Sequence, residues 1–112
     1  MPNESVPVCA PRIPDPKLRR VIEGLKSIRD IESLPLIWRE SGSGARAVVE
    51  SVLKDSGVNP KKLDQRFELG STEVIKSLVI AGLGVGFFSC WEIQQEIAMG
   101  LVRQINIPGL RI

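Results

Sequence analysis

Residues 68–89, ELGSTEVIKSLVIAGLGVGFFS, allow very few folds. Ser71 stands where an N-cap belongs, its hydroxyl available to a free backbone N–H of a first helical turn. Val74, Ile75, Leu78, Val79 and Gly82 follow at i, i+1, i+4, i+5 and i+8, one apolar face of a helix. Gly82 and Gly84 end that helix, because glycine enters the left-handed region at little cost. Val85 to Ser89 is short and apolar, as a buried strand is. The stretch reads as strand end, turn, helix and strand, and the rest of the chain is expected to form the lobe around it.

The flanking segments repeat this alternation. Val6 to Ala10 is expected as a first strand, with Pro7 suggesting an edge or a strand start. A short helix is expected over Lys17–Lys26 from the spacing of Leu18, Val21, Ile22 and Leu25, with one further turn near Ser27–Ile31. Leu36–Arg39 is a second strand, and Ala45–Lys54 a helix whose inner face carries Val48, Val49, Val52 and Leu53. Gln65–Leu69 alternates polar and apolar as a third strand. Trp91–Met99 is a last helix carrying Ile93, Ile97 and Ala98, closed by Gly100 and followed by a strand over Leu101–Ile105. Strand–helix repeated in this way predicts an α/β fold, a mainly parallel sheet covered by helices on both faces. The 112 residues suffice for one such lobe, 1–112.

Composition removes several chemistries. The chain has no histidine, so the commonest general base and metal ligand are absent, and with them every Ser–His or Cys–His nucleophile. Cys9 and Cys90 are expected as free thiols, and two thiols without histidine make a poor metal site. A net charge of +2 is too small to argue for nucleic acid or an anionic membrane. Glycines interrupt the run Leu78–Phe88, which falls short of the ~20 residues a membrane span needs. The polar start Met1–Ser5 lacks the basic-then-apolar pattern of a signal peptide, so a cytoplasmic location is expected. Glu40, Glu68 and Glu73 lie near the turns without a partner group at a telling spacing, so no enzyme, catalytic residue, metal or cofactor is expected.

Binding chemistry concentrates in two strand-to-helix turns, Arg39-Glu40-Ser41-Gly42-Ser43-Gly44 and Gly70-Ser71-Thr72. Both belong at carboxyl ends of strands, where open α/β folds hold ligands. Each offers free N–H groups and the positive end of a helix dipole, and the glycines let an anion approach the backbone. The first turn lacks the spacing of a P-loop. Gly82-Leu83-Gly84-Val85-Gly86-Phe87 follows a helix and precedes a strand, the reverse of what a dinucleotide fingerprint requires, and reads as a helix stop with close packing.

Arg39 to Arg46 with Glu50 and Leu53, then Leu69 to Lys76 and Ala81 to Phe87, resemble in order and spacing the effector-binding region of LysR-type transcriptional regulators. Val8-Cys9-Ala10-Pro11, Leu34-Pro35-Leu36-Ile37 and Glu96…Gly100-Leu101-Val102 extend the resemblance from about Val6 to Leu110. It implies one lobe, the second, of a periplasmic-binding-protein-like (type II) fold, in which a small effector sits between two α/β lobes. The winged helix-turn-helix and the first lobe of such regulators have no counterpart in these residues, so DNA would be reached only through a domain absent from this chain. Carried over by position, the effector-binding candidates are Arg39, Ser41, Ser43 and Gly44 of the first turn and Ser71 and Thr72 of the second. Ala45 stands where the family often has threonine, so one hydroxyl contact is lost. The helix N-termini favour an anionic or carboxylate-bearing effector. The family also assembles through its sensor domains, which implies a homo-oligomer and a partner-facing role for the helix Ala45–Lys54. The alternative is a lobe of a periplasmic oxyanion- or solute-binding protein, whose Ser-Gly-Ser-Gly turn is similar but which requires export.

Overall fold

A computed structural model describes residues 5–110; residues 1–4, where most of the polar start falls, and 111–112 lie outside it. Five strands and four α-helices alternate along the chain: β1 (Ser5–Cys9), α1 (Pro16–Glu23), β2 (Pro35–Arg39), α2 (Gly44–Asp55), β3 (Asp64–Leu69), α3 (Thr72–Ile80), β4 (Val85–Ser89), α4 (Cys90–Ala98) and β5 (Arg103–Gln104). Short 3₁₀ segments, Ile28–Ser33 and Pro60–Lys62, precede β2 and β3. The strands form one sheet in the order β3-β2-β4-β1-β5. β2 pairs in parallel with β3 and β4, whereas β1 lies antiparallel to β4 and β5. Four strands therefore share one direction and β1 alone opposes them. Its reversal sets Ser5 beside Ser89, so the start of β1 meets the carboxyl end of β4.

Period-two alternation in the strands divides the core between the two faces. Leu36, Trp38 and Val85 pack with Leu18 and Ile22 of α1 and with Val49 and Leu53 of α2. Val6, Val8, Ile37 and Phe88 pack with Ile75 and Val79 of α3 and with Ile93 of α4. Helices thus cover both faces, as the alternation of elements predicts.

Helix ends follow their capping chemistry. Ser43, Ser71 and Ser89 each accept a hydrogen bond from the backbone N–H three residues on, at Arg46, Val74 and Glu92. Glu92 completes a capping box by accepting from the Ser89 N–H at 3.0 Å. Gly82 ends α3 at φ 85°, and Gly84 packs so tightly that an added Cβ would lie 2.6 Å from the Pro35 carbonyl oxygen.

Three expectations need correction. α1 stops at Glu23 rather than reaching Lys26, because the Gly24 N–H closes onto the carbonyls of Arg20 and Val21. β5 spans only Arg103–Gln104, since the Ile105 N–H still donates to the Pro7 carbonyl at 2.9 Å but Pro7, lacking an N–H, cannot return the bond and the ladder stops. Val48 of α2 and Val74 of α3, read as inward, are 51% and 46% exposed. Each lies at the margin of its helix's apolar stripe, and of the two helices only Val49, Leu53, Ile75 and Val79 are buried.

Candidate effector site

The two strand-to-helix turns lie side by side, because Arg39 and Leu69, the last residues of β2 and β3, are partners in the parallel register. The carboxyl end of β4 completes the same edge of the sheet through the β2–β4 pairing. α2, α3 and α4 all begin there, so three helix N-termini gather at one edge.

A cavity of about 210 Å³ opens at this edge. Its apolar wall includes Ile37, Trp38, Val48, Val49, Ile75, Phe87 and Phe88, and its polar groups come from Ser5, Arg39, Thr72, Ser89 and Glu92. Phe87 meets Trp38 edge-on, with centroids 5.7 Å apart and planes at 79°, a favoured aromatic geometry.

Arg39 joins the two turns: its Nη1 donates to Thr72 Oγ1 at 3.3 Å, and its Nη2 pairs with Glu40 Oε1 at 3.1 Å. Its Nε is buried without an acceptor, and so is the indole N–H of Trp38. Leaving a buried donor unpaired costs about 1–3 kcal/mol, and Nε of Arg46, another residue of the cavity lining, is a third without a hydrogen bond; all three nitrogens are closed off from solvent.

Of the six candidates from sequence, Arg39, Gly44 and Thr72 line the cavity, whereas Ser41, Ser43 and Ser71 do not. The hydroxyls of Ser43 and Ser71 are committed as caps of α2 and α3. The N–H of Ser41 is likewise taken, donating to Glu68 Oε1 at 2.8 Å. Among the cavity residues, Trp38, Arg46, Phe87, Ser89 and Glu92 were not candidates. The spacing Ser89-x-x-Glu92 was a legible capping box, and it would have marked a third helix start on this edge. No local pattern marks Trp38 or Phe87, which sequence presents only as strand residues.

Arg46 has a structural task. Its Nη1 donates to the Arg39 carbonyl and to Glu68 Oε1, both at 2.9 Å, and its Nη2 to Gln65 Oε1 at 3.3 Å. Nε lies 3.5 Å from Glu50 Oε2, close enough for attraction but without hydrogen-bond alignment. The guanidinium also sits 5.6 Å from the centre of the Trp38 ring. Among the described residues no cluster of metal-ligating side chains occurs, and no helix is long and apolar enough to cross a membrane.

The family model for the LysR substrate binding domain matches residues 1–112. The chain belongs to that family. It is similar to the HTH-type transcriptional regulator CbbR of Xanthobacter flavus, with 38% identity over 84 residues that make up 74% of this chain and 24% of that protein. CbbR of Rhodospirillum rubrum is 32% identical over 111 residues, 99% of this chain and 34% of the regulator. Among solved structures, the regulatory domain of Synechocystis PCC6803 CcmR in complex with 2-PG has a TM-score of 0.71 at 25% identity, covering 97% of this chain and 50% of that one. This LysR substrate-binding lobe thus spans between 24% and 34% of these two curated relatives and half of the CcmR regulatory domain. Its architecture is that of LysR regulatory domains, a type II periplasmic-binding-protein-like fold. The family match makes it an effector-binding lobe and disfavours the reading as part of a periplasmic solute carrier.

Proposed function

We propose that this lobe holds a small anionic or carboxylate-bearing effector at the cavity on its sheet edge and passes occupancy to the rest of a transcriptional regulator. The observation that carries this reading is the Arg39 guanidinium in the lining of a cavity at the edge where α2, α3 and α4 begin. Arg39 supplies the charge and Thr72 a hydroxyl, Gly44 lets the ligand approach the start of α2, and the aromatic wall takes an apolar body. Ser41, Ser43 and Ser71 contribute indirectly by fixing the turns. The likeness to CcmR, whose regulatory domain is in complex with 2-PG, supports a small-molecule ligand.

In the full-length protein a first lobe completes the cleft, a winged helix-turn-helix domain contacts DNA, and the sensor domains assemble as a homo-oligomer in the cytoplasm. Effector binding changes the angle between lobes, and no catalytic step or cofactor is required. The relatives' names, which are those of transcriptional regulators, support this. Isothermal titration of the chain with 2-PG tests the site. Arg39→Gln should weaken binding about tenfold or more, the worth of a charged hydrogen bond. Binding that is unaltered in both Arg39→Gln and Thr72→Val rules out this placement.

A further inference from the structure

The lobe carries a carboxylate of its own on the guanidinium assigned to the effector. Glu40 Oε1 lies 3.1 Å from Arg39 Nη2. Its other oxygen, Oε2, lies against the second turn, 2.7 Å from where a Cβ at Gly70 would stand. Gly70 is the residue before the N-cap of α3, and Thr72, at the first position of that helix, takes the other end of the same guanidinium. Glu40 therefore spans Arg39 and the entrance to α3, the two features that attract an anion.

We propose that Glu40 is an internal counter-ion that an incoming anion must displace from Arg39, so that it sets a threshold for effector binding. This rests on the assignment of Arg39 to the effector site. The arrangement suits exchange. The Arg39 and Glu40 side chains are 29% and 44% exposed, and ion pairs of that exposure are weak enough for a ligand to open. Among the described residues Glu40 pairs with no second cation, whereas Glu68 is held by both Arg46 and the Ser41 N–H. Gly70 makes the seat possible, because any side chain there meets the Glu40 carboxylate first. The φ of Gly70 is not in the left-handed region, so alanine fits the backbone and moves only the end of a flexible side chain.

Two variants vacate the seat in different ways: Glu40→Gln removes the charge, and Gly70→Ala removes the space. Inorganic phosphate is titrated into the wild-type chain and each variant, and the Arg39 Nε–H resonance is followed by NMR. Both variants should bind phosphate about two- to fivefold more tightly, the range expected for relieving an exposed ion pair. Unchanged or weaker binding in either, with a normal wild-type response, overturns the role of Glu40 and leaves the site assignment standing. An Arg39 resonance that phosphate moves in none of the three proteins overturns the site assignment, and this inference with it.

Discussion

The Arg46 guanidinium, from the first turns of α2, donates to Glu68 Oε1 of β3 at 2.9 Å across the end of β2. The same nitrogen donates to the carbonyl of Arg39, and the Arg46 side chain is only 11% exposed. One planar group thus binds a helix start to two parallel strands at the edge where the cavity opens. A local charge pattern cannot achieve this, since Arg46 and Glu68 are brought together only by the β2–β3 register.

Arg46→Met should destabilise the lobe by about 2–3 kcal/mol, since it removes charge-assisted hydrogen bonds and leaves a carbonyl at the strand end unpaired. Urea unfolding should show a lower midpoint with an unchanged slope. Arg46→Lys should recover only part of the loss, because one ammonium cannot serve the Arg39 carbonyl, Glu68 and Gln65 from one plane.

Gly84 and Gly44 should respond oppositely to alanine. At Gly84 the new methyl meets the Pro35 carbonyl at 2.6 Å and Ile37 at 3.1 Å, with backbone on the tighter side. A loss of about 1–3 kcal/mol is expected, as for other overpacked sites. At Gly44, the first residue of α2, nothing lies within 4 Å, and alanine should stabilise by about 0.4–1 kcal/mol through the unfolded chain. Thermal unfolding of the two single variants decides both.

The two thiols should separate in reactivity. Burial pushes the Cys9 thiol up, and the positive charge of Arg103 only partly opposes it. Cys9 is fully buried while Cys90 is half-buried at the start of α4, so a thiol reagent should label Cys90 first and Cys9 only on unfolding. The folded chain keeps the Cys9 proton to higher pH than the unfolded chain. Its contribution to stability is therefore full below the ordinary thiol range and is lost as pH rises from there through the raised value. Cys9→Ala should remove this alkaline loss, as read from denaturation midpoints across pH 8–11.

Trp38 gives the cavity an optical reporter once Trp91, 62% exposed, is replaced by phenylalanine. The remaining emission should be that of a buried indole and poorly quenched by iodide. It should shift on titration with inorganic phosphate, because an anion entering the cavity that Trp38 lines changes the field at the ring. An emission spectrum unmoved by saturating phosphate would separate Trp38 from the site.

The amino-acid order alone determined the elements and much of their ends. Apolar periodicity marked β4 and α3, Ser71 marked the start of α3, and Gly82 and Gly100 marked stops with the positive φ angles observed. These features are legible because they rest on interactions within a few residues. The parallel alternation of strands and helices put both turns at carboxyl ends of strands, which the Arg39–Leu69 register satisfies. Tertiary structure decided the rest. The direction of β1 follows from which strand it pairs with, and the insertion of β4 between β2 and β1 leaves no local mark. Whether a turn amide is free depends on which side chain arrives from elsewhere: Glu68 fills Ser41 from a neighbouring strand. Trp38, Phe87 and Glu92 become one wall for the same reason, since they come from different elements that only the sheet brings within contact.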